Sequence, residues 1–243
     1  MNSGYNPPPR SNDPWGASTY GQPLTVAESP AEVQLNFIRK TYVLFMAGIL
    51  SSIVAGVICL QTPLLSVALG ILQMPLLAFG LILGGSIGAQ ALARKEGINY
   101  VALFAFTSFL GFIMAPVLAM TEMRSPGILG QTAFLSTLVF GALTAYAFIS
   151  RKDFNFLGGI VFVGMIAMIG AGLANMLWFK SSGFGYWMAW GTLLFSSGFV
   201  LYQTSRMIHD YDPREYCAAA LGLFISFFNI FMSILRILGG NRD

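Results

Sequence analysis

"YCAAALGLFISFFNIFMSILRIL", Tyr216 to Leu238, is an apolar run long enough to cross a bilayer, yet it carries Ser226, Asn229 and Ser233. A hydrocarbon layer ~30 Å thick needs ~20 mostly apolar helical residues. Polar side chains at that depth are tolerated where they face protein or a water-lined cavity rather than lipid. The run therefore reads as a helix enclosed by other helices or as a re-entrant segment. Either reading requires a bundle around it, and the fold class that follows is an all-α membrane protein.

The rest of the chain supplies that bundle. Hydrophobic residues make up 56% of the 243, charged residues only 9%, and the mean hydropathy is +0.69. No water-facing domain of this length tolerates such a composition on its surface. The short alternating segments of a membrane barrel are absent. Apolar segments at 41–60, 74–93, 98–120, 128–149, 156–179, 186–206 and 216–238 predict seven transmembrane helices. "QTPLLSVALGILQMP", Gln61 to Pro75, is bounded by prolines and reads as an apolar linker lying at the membrane interface.

The amino-terminal stretch contrasts with everything after it. "MNSGYNPPPRSNDPWGASTYGQPLTVAESPAE" holds Pro7, Pro8, Pro9, Pro14, Pro23 and Pro30 among Gly, Ser and Asn. Such a segment buries too little apolar surface to offset its ordering entropy. It also lacks the basic start and apolar core of a signal peptide. Residues 1–36 are expected to be a disordered cytoplasmic tail and residues 37–240 a seven-helix transmembrane domain. With the tail inside, nine basic residues (Arg10, Arg39, Lys40, Arg94, Lys95, Arg151, Lys152, Arg206, Arg214) fall on the cytoplasmic side and four (Arg124, Lys180, Arg236, Arg242) opposite, the bias that sets orientation.

Charge and cysteine usage exclude several classes. The net charge of +3 is spread in pairs at the ends of apolar runs, so it marks topology and no nucleic-acid partner is expected. Cys59 and Cys217 are placed near opposite membrane faces, and with the lone His209 they form no metal site. Every Asp and Glu lies in the tail or at a loop, and no predicted span has a carboxylate at its centre. There is no nucleophile and base pair and no phosphate-binding glycine loop. The expectation is a non-enzymatic protein with no cofactor, no metal and no catalytic residue.

Neutral polar groups remain at membrane depth: Thr107 and Ser108 in the third span, Asn175 in the fifth, Ser196, Ser197, Gln203 and Thr204 in the sixth, Ser226 and Asn229 in the seventh. Ser226 and Asn229 are three apart and share a helix face, from which they can meet the Gln203 region. That group is either a hydrogen-bonded seam between the last two helices or the wall of a water-lined cavity. Small residues repeat at Gly80, Gly84 and Gly88, and at Gly164, Ala167, Ala171 and Ala174, the spacing of close helix packing. In "SRKDFNFLGG", Ser150 to Gly159, Arg151 and Lys152 anchor a tight inside turn, Asp153 can cap the next helix, and Phe154 and Phe156 suit the interface. Arg151, Lys152 and Asp153 are also a candidate partner-facing turn.

Together these stretches resemble the Bax inhibitor-1 family, also called the transmembrane Bax inhibitor motif family. The matching pieces are "FIRKTYVLFMAGIL" (37–50), "FAFTSFLGFIMAPVL" (104–118), "SRKDFNFLGGIVFVG" (150–164), "SSGFVLYQTSRMIH" (196–209) and "AALGLFISFFNIFMSILRILGG" (219–240). The resemblance implies seven helices, a cytoplasmic amino terminus and a last helix enclosed by the other six. Calcium-leak members carry an aspartate in the sixth helix and another in the seventh, a proton-sharing pair that acts as a pH-sensitive latch. Gln203 and Ser226 stand at the matching positions, with Asn229 beside them, and the second span has no arginine to pair with them. Neither Gln203 nor Ser226 ionises, so a latch of that design is absent. The serine in "FISFFNIF" and the non-acidic residue before "TS" are closer to the bacterial YccA-like branch. That branch implies a multi-pass protein of the bacterial inner membrane whose partners are the lipid bilayer and an FtsH-type ATP-dependent membrane protease. It would act on the protease as a slowly degraded competitor. The alternative is a cation leak channel or transporter, with calcium as its ligand.

Overall fold

A computed structural model describes residues 25–150, 154–179 and 182–240, and among these residues all regular structure is helical. A 3-10 turn at Val26–Glu28 precedes α1 (Ala31–Gln61), α2 (Leu64–Leu72), α3 (Pro75–Ala93), α4 (Asn99–Arg124), α5 (Ile128–Ser150), α6 (Leu157–Ala174), α7 (Ser182–His209) and α8 (Tyr216–Gly240). A π-helical turn, Asn175–Phe179, extends α6. Six helices, α1, α3, α4, α5, α6 and α8, are long and apolar enough to cross a membrane, so this is a multi-pass membrane protein. At 28 residues α7 has the length as well, but Trp, Gly, Ser and Gln interrupt its apolar residues. The apolar linker expected between the first two spans forms the short α2, which starts behind Pro63 and packs on α1, α3 and α4.

The expected boundary of the tail at residue 36 lies too late. Helix α1 begins at Ala31 behind Pro30, whose fixed φ suits a helix start. Phe37 on its first turns is buried, and the preceding Val26 is only 1% exposed. At ~1.5 Å per residue the 31 residues of α1 reach about 46 Å, well beyond the hydrocarbon layer, so its polar first turns stand outside it. Residues 1–24 of the expected tail lie outside the described residues.

Of the six helices long and apolar enough to cross a membrane, α8 is the most buried. Eight successive residues, Cys217 to Phe224, are buried, and a helix buried on every side over two turns is a core element rather than an amphipathic cover. It packs against α7, α1, α5, α4 and α3, whereas α6 leans on α7. The most extensive contact elsewhere is between α1 and α4. A Cβ placed on Gly111 would collide with the backbone carbonyl of Ser52, and Gly56 approaches the Gly111 carbonyl in return. Ser51 and Ser108 share a hydroxyl hydrogen bond of 2.6 Å across the same seam. Backbones this close replace the solvent-driven force that lipid does not provide.

The glycine stripe of α3 behaves differently from the expectation. Gly80, Gly84 and Gly88 have open space where a Cβ would stand, and the packing side of α3 is instead Ala78, Gly85, Ala89 and Ala93. The reason is Phe106 of α4, whose ring lies 3.1 Å from a Cβ built on Gly85 and takes up the space beside that face. On α6 the expected stripe is packed only in part: Gly164 receives the Phe195 ring of α7, whereas Ala167 is exposed. Gly111→Ala should therefore destabilise the protein by roughly 3 kcal/mol or more, the upper range for overpacking, because the obstacle is backbone. Gly84→Ala should stay within about 1 kcal/mol of the parent, on the stabilising side through helix propensity. Thermal unfolding of both variants in one detergent checks the contrast; equal losses would mean that the α3 stripe is packed after all.

Candidate functional site

Polar residues of α7 and α8 meet at a single backbone position, Gly222. Gln203 is 5% exposed and Ser226 is fully buried. The Gln203 amide lies where a Cβ of residue 222 would be, so only glycine admits it. From below, Ser226 Oγ donates to the Gly222 carbonyl at 2.8 Å. Among the described residues Gln203 and Ser226 share no hydrogen bond; each contacts Gly222. Asn229 is half-buried a turn further on, and its carbonyl accepts from Ser233 Oγ at 2.7 Å.

A buried amide needs a partner of its own, and Gln203 finds one in a residue that sequence reasoning missed. Its Nε2 donates to the Tyr211 hydroxyl at 2.9 Å. Tyr211 sits in the α7–α8 connection at 3% exposure. The ring stands 6.5 Å from that of Phe37 and lies under the guanidinium groups of Arg206 and Arg94, at 5.5 and 5.8 Å from its centroid. Burial pushes the phenol above its ordinary range, while Arg206, the Gln203 hydrogen bond and Arg94 draw it partly back. The phenol keeps its proton at neutral pH. The only sequence hint was an aromatic residue between two aspartates, in "HDYDP".

Charged groups gather at this end of the bundle. Arg94 pairs with Glu215 at 3.7 Å, Arg214 with Glu96 at 3.7 Å and Arg206 with Asp210 at 3.6 Å. The first two tie the α3–α4 and α7–α8 connections together, and the third braces the end of α7. Pairs as exposed and as long as these add little stability one by one. Their service is to hold the loop that carries Tyr211.

Of the candidate partner-facing turn, Arg151, Lys152 and Asp153 lie outside the described residues. Its second half is fastened to the same end: the Phe154 N–H donates to Ser205 Oγ at 2.9 Å and Asn155 Nδ2 to Asp210 at 3.2 Å. Phe154 is consequently buried rather than interfacial, while Phe156 is exposed as expected. Cys59 and Cys217 are both free and buried in separate clusters. Among the described residues no group of three or more His, Cys, Asp or Glu is placed to hold a metal ion. The interior instead collects hydroxyls. Among the described residues, those of Thr41, Thr132, Ser136, Ser196 and Thr204 are buried with no hydrogen-bond partner.

A family model described as "Inhibitor of apoptosis-promoting Bax1" matches residues 34–243. The chain belongs to the Bax inhibitor-1 family. It is similar to the Escherichia coli protein named modulator of FtsH protease YccA, at 32% identity over 71% of this chain and 80% of the relative. It is also similar to Bax inhibitor 1 of Schizosaccharomyces pombe, at 29% identity over 88% of this chain and 80% of the relative. A Pseudomonas aeruginosa protein named only as uncharacterized is 38% identical over 60% of this chain and 66% of its own length.

The Gln203–Tyr211 pair gives a direct test of this geometry. Tyr211→Phe leaves the Gln203 amide buried without its acceptor and should cost roughly 1–3 kcal/mol. Adding Gln203→Leu to that variant should cost less than Gln203→Leu does alone, because one interaction is removed twice. Additive losses in a double-mutant cycle on thermal or denaturant unfolding would show that the two side chains do not act as a pair.

Proposed function

We propose that this protein is a non-enzymatic component of a bacterial inner membrane that associates with an FtsH-type ATP-dependent protease and restrains it as a slowly degraded competitor. The relative named modulator of FtsH protease YccA carries this reading, supported by a polar centre of Gln203, Gly222 and Ser226 that holds no acid, base or metal set. In this reading α7 is the seventh crossing, the last helix is enclosed by the other six, and the amino terminus is cytoplasmic and is the end that a protease pore grips. The body resists extraction through the close α1–α4 seam and the buried α8. Arg151, Lys152 and Asp153 are a second candidate contact for the partner.

Reconstitution with the membrane protease tests it. Full-length protein should be degraded slowly and should slow the degradation of another membrane substrate. Removal of residues 2–24 should abolish both effects while leaving the melting temperature unchanged. Unchanged turnover and unchanged protection after that removal would refute the tail-gripping mechanism.

The partnerless interior hydroxyls favour one second reading, a cation leak through the centre of the bundle. Neutral oxygens hold a cation only when several converge. Gln203→Asp combined with Ser226→Asp should then convert a silent parent into one with pH-gated calcium flux in liposomes. Equal flux from parent and double variant removes these positions from any gating role.

A further inference from the structure

The short segment ahead of α1 is part of the folded body, and its contacts lead straight to the polar centre. The Val26 N–H donates to the Tyr211 carbonyl at 2.9 Å. The Val26 side chain is 1% exposed and joins Phe37, Tyr211 and Cys217 in one buried cluster. The segment is internally braced: Ser29 Oγ donates to the Thr25 carbonyl at 2.9 Å, and Gln34 Nε2 reaches the carbonyls of Ser29 at 2.9 Å and Ala27 at 3.2 Å. On its other side Tyr211 accepts from Gln203, whose amide rests on Gly222. Residues 1–24 continue directly from this segment.

We infer that residues 25–30 are a strap that holds Tyr211 against the Gln203–Gly222 centre and thereby closes this end of the bundle. Seated, it fixes the Tyr211 backbone through Val26, while Gln203 of α7 holds the hydroxyl. Lifted, it withdraws the Val26 side chain and the one backbone hydrogen bond that the segment gives Tyr211, and so loosens the buried cluster that also holds Cys217. Whatever takes hold of the tail acts on the strap first, so tension on residues 1–24 is converted into opening of the α7–α8 end. The strap does not depend on the protease reading; it acts in the same way for any partner that pulls or captures the tail.

Two native thiols report on it. Cys217, 0% exposed, begins α8 beneath this end, and Cys59, 0% exposed, lies in a separate cluster with Ala68 and Ala115. Full-length protein in lipid nanodiscs, treated with N-ethylmaleimide and read by mass spectrometry for each cysteine, should label slowly at both. Val26→Asp, and separately removal of residues 2–30, should raise the rate at Cys217 by about tenfold or more while Cys59 keeps its parent rate, the pattern of a local opening. Tyr211→Ala should do the same with the strap intact. Removal of residues 2–24 alone should leave both cysteines at the parent rate. Protection of Cys217 in the strap variants overturns the inference. So does a parallel rise at Cys59, which marks general loosening, or an equal effect from removing residues 2–24. None of these readings involves the protease, so failure here and failure of the protease assay are told apart.

Discussion

The structure depends on how little side chain α8 carries where it enters the bundle. Cys217, three successive alanines and Gly222 give a helix narrow enough for close approach, and every residue from Cys217 to Phe224 is buried. Lipid tails are as apolar as the helices they surround, so burial from water does not drive such association. Close backbone approach, with the dispersion and hydrogen bonds it permits, has to do so. At Gly222 the absence of a Cβ makes the backbone a platform on which the Gln203 amide lies, while its carbonyl anchors Ser226.

The same device fixes the pairing of α1 with α4, where Gly111 accepts the Ser52 carbonyl into the space a side chain would fill. One seam sets the outer pair and the other sets the centre, and Gly48 of α1, which meets both Thr107 of α4 and Phe224 of α8, links the two. Phe45, Phe140 and Phe227 then fill the space among α1, α5 and α8 with one stacked and two edge-on ring contacts. Bulky rings therefore occupy places the small-residue seams leave open, and neither type of packing would hold this arrangement alone.

The long apolar runs were legible because a membrane span must satisfy its backbone internally and so declares itself by length and composition. The family was legible from ordered stretches such as "FAFTSFLGFIMAPVL". Three features were not. Residues 31–36 at the start of α1 fall within the stretch expected to be tail because proline, glycine, serine and asparagine dominate that stretch and no apolar run marks where the helix begins. The α3 glycines were read as a packing stripe because spacing shows that a close approach is possible without showing which face meets a neighbour; that depends on Phe106, a helix away. Gln203, Ser226 and Asn229 stand out in the sequence as polar residues of the last two helices, at or beside the positions of the family's aspartate pair. Gly222 and Tyr211, through which two of them are joined, could not be found by position, since one is a glycine among 27 and the other lies in a loop.

A centre made of an amide, hydroxyls and a phenol held protonated by burial has no proton to gain or lose near neutral pH. A carboxylate pair at the same depth would let acidity change the contact between α7 and α8; Gln203 and Ser226 do not. Any change of state at this point must therefore come from movement of what covers it, and the cover is Tyr211 with Val26 behind it. Mechanical control of this kind suits a protein whose amino-terminal residues lead directly into the strap, because a force on the chain reaches the centre through two hydrogen bonds and one buried side chain. The arginines on Tyr211 oppose that force from the other side, through ion pairs to Asp210 and Glu215 that anchor the loop. How readily this end opens is thus decided by the seating of Val26, the contact in the series that the residues ahead of α1 supply.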